Sequence, residues 1–161
     1  MKKTYRVAGH TFQVCREQLC KAVEQIVGFR PFECEEGEPL FEFVGGTEVP
    51  VMEKVQYTFS YEDVTGTFGR TLDGFYLHLK PAEEEPFHLW TKEGHPQVML
   101  YGNWSVRLYR FALWVGFGLM TLPYDTVAIH SSCIVYNIKP ICSWARVVLE
   151  RVPIPVCGEK T

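Results

Sequence analysis

A chain of 161 residues and 18.6 kDa has room for one ordinary domain and not for two. Hydrophobic residues at 47% and charged residues at 22% match the averages of globular proteins, which excludes collagen-like, disordered and coiled-coil classes. A net charge of −3 leaves no global field to attract nucleic acid or anionic lipid, so neither is expected as a partner.

Met1-Lys2-Lys3 carries the charge of a secretory leader, but Thr4 to His10 interrupts before an apolar stretch develops, so a cytoplasmic location is expected. Short β-prone runs at 5–8 and 11–14 flank Gly9-His10 and predict a hairpin. Leu19, Val23, Ile26 and Val27 recur at helical spacing, with Gly28 and Pro31 as the stop, and predict a helix of about three turns over 17–27. The acidic run 33–38 reads as a solvated loop, followed by a strand over 40–44 that ends at Gly45-Gly46. Alternating runs at 55–61, 65–71 and 75–80 predict an antiparallel meander with turns at Glu62-Asp63 and Asp73-Gly74. Residues 81–86 make an exposed acidic turn, and 87–91 with 97–101 make a further strand pair, which brings the expectation to about eight strands.

Asn103 or Ser105 is placed to cap a helix over 106–120 that stops near Pro123. Beyond Arg110 this helix is apolar on every face, so it is expected to be covered on all sides. Its apolar run, 111–122, is far shorter than the ~20 residues of a membrane span, so no membrane partner is expected. A last strand is predicted over 126–136. Cys15, Cys20, Cys34, Cys133, Cys142 and Cys157 form no Cys-x-x-Cys, and no histidine stands near them at zinc-finger spacing. The fold class read from these elements is α+β: a mostly antiparallel, meander-like sheet with two helices and an incomplete last sheet. The expected organisation is a β-rich part over 1–102, a helix and strand over 103–137, and an irregular tail over 138–161.

The character of the sequence changes after Asn137. Pro140, Pro153 and Pro155 divide the tail, and no period of 2 or 3.6 survives in it. Before it, Phe111-Ala112-Leu113-Trp114-Val115-Gly116-Phe117-Gly118-Leu119, Leu122-Pro123 and Ile129-His130-Ser131-Ser132-Cys133-Ile134-Val135-Tyr136-Asn137 resemble the stretch preceding the P-loop in bacterial HPr kinases and ATP-dependent phosphoenolpyruvate carboxykinases. In those families the histidine-bearing strand turns through a hairpin into a second strand that ends in the phosphate loop. The resemblance is most specific over 111–137 and diffuse over the first hundred residues.

The genetic code accounts for the missing loop. Back-translation of 138–159, read from the third base of each codon, permits an apolar strand followed by Gly-Glu-Ser-Gly-Thr-Gly-Lys-Ser, the Gly-x-x-x-x-Gly-Lys-Ser pattern. The single codon of Trp144 followed by any Ala145 codon forces the first Gly. The resemblance therefore implies an amino-terminal portion of a P-loop kinase-like protein whose frame slips near Asn137. ATP and Mg²⁺ are expected only for an intact relative, because the backbone amides, lysine and hydroxyl that hold them are not encoded in this frame. No catalysis is expected of the chain as given. Truncation is also expected to leave apolar surface uncovered, producing self-association or recruiting Ile141, Trp144, Val147 and Val148 as cover.

His130 and Ser131 are the candidate phosphate-proximal residues, since the resemblance places that strand on the way to the phosphate site; a structural histidine at a strand end is the competing reading. Ser131 and Ser132 read as strand hydroxyls rather than nucleophiles, since no acid partner at a recognisable spacing accompanies His130. His78, His88 and His95 with Glu83-Glu84-Glu85 contain no metal-binding pattern, alternation places them around different turns, and the acidic run reads as solvated. Gly116-x-Gly118 lies inside a helix without a feeding strand and is read as helix packing, not a dinucleotide fingerprint. Phe59, Tyr61, Phe68, Phe75 and Tyr76 have only Arg70 and Lys80 as nearby cations and are assigned to packing rather than base stacking.

Overall fold

The computed structural model describes residues 1–35, 37–102, 105–127, 132–136 and 139–143. It divides into two compact units, Met1–Ala128 and Ile129–Thr161. In the first, the strands are β1 (Lys2–Val7), β2 (His10–Cys15), β3 (Glu33–Cys34), β4 (Phe41–Gly45), β5 (Lys54–Tyr61), β6 (Val64–Arg70), β7 (Gly74–Pro81), β8 (Phe87–Lys92) and β9 (Gln97–Gly102). They form one open sheet in the order β3-β1-β2-β4-β9-β8-β7-β6-β5. With helices α1 (Glu17–Glu24) and α2 (Val106–Thr121), this is the expected α+β class.

The run β5 to β9 is the expected antiparallel meander. The sheet departs from a simple meander at β4, which inserts between β2 and β9 and runs parallel to both. Phe41 and Phe43 explain this central place: both are fully buried, and their rings meet Phe12 of β2 at 5.4 and 5.6 Å. Each such ring contributes about 1.5–3 kcal/mol by leaving water. β3 is a further correction, because Glu33 and Cys34, expected in a loop, pair with Tyr5 and Thr4.

The first hairpin turns at Ala8-Gly9 rather than Gly9-His10. Both residues take positive φ, 49° and 82°, as the tight turn that matches strand twist demands, and His10 is thereby released to open β2. Helix α1 is shorter than expected. Ile26 leaves helical geometry at φ −87°, ψ 85° and is buried, whereas Val27 faces solvent and opens a 3₁₀ turn, Val27–Phe32, that contains Gly28 and Pro31. The buried stripe of α1 is Leu19, Cys20, Ala22 and Val23.

Ser105 caps α2, its hydroxyl accepting from the Leu108 amide at 3.4 Å. Both helices lie on one face of the sheet and share a core with Tyr5, Phe12, Phe43, Leu89 and Leu100, to which α2 supplies Leu108, Tyr109, Ala112 and Leu113. The helix therefore belongs to the first unit, Met1–Ala128. Gly116 sits where a Cβ would stand 2.6 Å from the Phe43 ring, so its packing reading is correct. Coverage of α2 is incomplete, however: Trp114 is 50% exposed on the side away from the sheet.

Of the expected last strand, the described part in the second unit is β10 (Ser132–Tyr136). Thr126 and Val127 precede it outside any strand, the Thr126 hydroxyl being held by His10 Nε2 at 2.7 Å. The tail is not wholly irregular, because β11 (Lys139–Ser143) pairs antiparallel with β10 from Tyr136–Lys139 to Ser132–Ser143. Pro140 is tolerated there because a two-stranded sheet consists of edges, where an amide is not required.

Candidate functional site

His130 and Ser131 lie outside the described residues, as do Trp144, Val147 and Val148. Among the described residues, chemistry-bearing side chains gather on the sheet face opposite the helices. That face is set by alternation: Leu77, Leu79, Leu89 and Leu100 point into the core, so Tyr76, His78, His88, Trp90 and Tyr101 point away from it.

Residues 46–53 connect β4 to the far edge strand β5 and cross this outer face. Gly46 rests against the Trp90 indole, where a Cβ would approach within 2.1 Å, and Met52 lies over Gly69. Trp90 and Tyr76 are buried as a result. One step along the strands, the row Thr67, His78, His88 and Tyr101 remains partly open to solvent.

Within that row His78 and His88 are directly opposed, and their rings stack at 4.8 Å and 6°. The expectation that they surround different turns is therefore corrected: β7 and β8 are antiparallel neighbours, and the 81–86 turn brings the two histidines into register. The Tyr76 hydroxyl and His88 Nδ1 share a 2.6 Å hydrogen bond, which fixes the ring plane. Burial, and then His78, push the His88 imidazole down to about 4. Burial and Lys80 lower His78 as well. At neutral pH the row thus carries two neutral imidazoles, suited to hydrogen bonding and stacking rather than to holding an anion by charge. His95 stands apart in the β8–β9 turn, its amide donating to Lys92, and no group of three metal-ligating side chains occurs among the described residues.

A second feature is the β5 edge. Tyr57, Phe59 and Tyr61 lie on the helix side, opposite Phe68, Gly66 and Val64. Phe59 occupies the space over Gly66 and meets Phe111 of α2 at 6.0 Å, whereas Tyr57 and Tyr61 are 63% and 65% exposed. The β5–β6 turn is tied to α2 by Arg107, which donates to both Asp63 carboxylate oxygens at 2.6 and 3.0 Å. Of the aromatic residues assigned to packing, Phe68 stacks on Phe75 at 5.8 Å with the Arg70 guanidinium above Phe75 at 4.3 Å, and Tyr76 stacks on His88.

Among the described residues no helix is long and apolar enough to cross a membrane. The stacked histidines were legible in principle, since a turn centred on residue 83 sets 78 opposite 88; the exposed β5 edge was not, because strand order is invisible in a list of strands. Comparison with protein-family models, with curated proteins and with solved structures finds no match to this chain.

Proposed function

We propose that this chain is the non-catalytic amino-terminal portion of a protein like HPr kinase and ATP-dependent phosphoenolpyruvate carboxykinase, read out of frame from about Asn137 and therefore lacking the ATP-binding P-loop. The observation that carries the reading is the coincidence, at one place, of the 111–137 stretch with a shifted frame that permits Gly-x-x-x-x-Gly-Lys-Ser. The β10–β11 hairpin supports it, since in those families the histidine-bearing strand turns back into a strand leading to the phosphate loop. In this reading His130 and Ser131 are phosphate-proximal only in an intact relative, ATP and Mg²⁺ bind only there, and the chain itself performs no phosphoryl transfer. Its remaining property is association with further copies through apolar surface.

The coding DNA, read in three frames from the His130 codon to beyond the stop, tests this directly. An open frame encoding Gly-Glu-Ser-Gly-Thr-Gly-Lys-Ser and continuing into a kinase-sized domain is expected. Frames that close at once without a P-loop overturn the reading. At the protein level, ATP with Mg²⁺ should leave the melting temperature of this chain unchanged and raise that of the frame-restored protein. A saturable rise in the chain as it stands refutes the absence of nucleotide binding. A second reading, a stand-alone β-rich interaction module, draws on the half-open histidine row and the exposed β5 edge.

A further inference from the structure

We infer that β5 is a self-pairing edge, through which two copies of this chain join antiparallel about a two-fold axis at Phe59 into one continuous sheet. The inference deepens the self-association just proposed by naming its surface, and it does not depend on the ancestry of the chain.

An edge strand presents a row of unpaired amides and carbonyls, and natural sheets blunt such edges with charges, prolines, bulges or short length. β5 is eight residues long, has no proline and carries one charge, Lys54, at its start. Seven of its eight residues are exposed. Its protective devices, the Lys54 charge and the irregularity between Val55 and Tyr57, are both confined to its start and leave Tyr57 to Tyr61 as a regular pairing segment.

The direction of the free backbone groups fixes the register. Tyr61 and Val64 close a two-residue hairpin and so exchange both hydrogen bonds; Phe59 with Gly66 and Tyr57 with Phe68 repeat this, and the amides and carbonyls of Thr58 and Ser60 point outward. Antiparallel pairing centred on Phe59 then matches Thr58 with Ser60 of the second copy, and Ser60 with its Thr58, so that all these outward groups are satisfied. The two Phe59 residues face each other, and Tyr57 meets Tyr61 of the second copy on the helix side. Two-fold pairing also carries Lys54 of each strand toward the Glu62-Asp63 turn of the other, a complementary charge arrangement.

The other edge of the sheet explains why the complement on a second copy is β5 itself. β3 is only two residues long, and Glu33 within it is held by Lys3 at 2.9 Å. Among the described strands of this sheet no other edge is comparable to β5, and the self-complementary arrangement closes as a dimer.

Sedimentation of the full chain under reducing conditions, from low micromolar to several hundred micromolar, tests the assignment. The mass should rise from 18.6 kDa toward twice that value. Thr58→Pro removes one outward amide while sparing the β6 ladder, and Thr58→Lys adds an edge charge without a proline; both should remain monomeric over the same range with circular dichroism unchanged. Trp114→Ser, on the exposed side of α2, should associate as the parent does. A parent chain that stays monomeric overturns both self-association and the strand assignment. Association that survives Thr58→Lys, or that Trp114→Ser abolishes, overturns β5 as the surface while leaving self-association standing.

Discussion

Mild acid should destabilise the first unit through His88. The unfolded chain takes up a proton on this imidazole near pH 6.5, the folded chain only near pH 4, because burial and His78 oppose the charge. Stability from this group is therefore complete above the unfolded value and is lost as pH falls toward the folded one. Linkage with these two values gives about 1.8 kcal/mol lost between about pH 7 and pH 5 for a ring wholly shielded from water; partial solvent access reduces the expectation to roughly 1 kcal/mol. The window ends above the range in which the ion-paired carboxylates of Asp63, Asp73 and Glu42, whose pKa values are lowered, begin to protonate appreciably. Urea unfolding at the two pH values, in the parent and in His88→Gln, isolates the effect, since His78 is retained in both. The parent should lose about 1 kcal/mol more than the variant on acidification. Equal losses would show that the stacked pair is as hydrated in the folded chain as in the unfolded one, and would refute the reasoning.

Gly116→Ala places a methyl group 2.6 Å from the buried Phe43 ring, which Phe12 and Phe41 prevent from yielding. Overpacking of about 1–3 kcal/mol then outweighs the ~1 kcal/mol of helix propensity gained, and thermal melts should show a decrease of a few degrees; an unchanged or raised midpoint contradicts the close approach of α2 to the sheet. Arg107→Ala releases the β5–β6 turn from α2, so amide exchange across β5 and β6 should accelerate while β8 and β9 stay protected. Uniform acceleration over all strands would mean that Arg107 supports the whole unit rather than this hairpin.

Periodicity and turn residues made nearly all elements of the first unit legible, with shifts of up to three residues at their ends. The shifts have local causes. Ala8 accepts a left-handed conformation that alternation cannot reveal, and Ile26 leaves the helix while keeping its place in the core. Non-local pairing was illegible for a different reason. The place of β4 between β2 and β9 depends on Phe41 and Phe43 finding Phe12, partners about thirty residues away, and no local pattern encodes that meeting. The even apolarity of α2 pointed to burial on all sides, yet only the side carrying Leu108, Tyr109, Ala112, Leu113 and Gly116 is buried with the sheet, because one helix on an open sheet meets it along a single stripe.

That stripe bears on the proposed change of frame. The described core runs from Tyr5 to Leu113, and each of its members precedes the position at which the character of the sequence changes. Nonpolar burial acts only between groups that are present, and every buried member of this described core, including those that hold α1 and α2 to the sheet, precedes Asn137. A slip in frame at that point would replace the phosphate-binding strand and loop without removing a side chain from this core. Binding of ATP and stability of the sheet are separable on this account, and the first can be lost while the second persists.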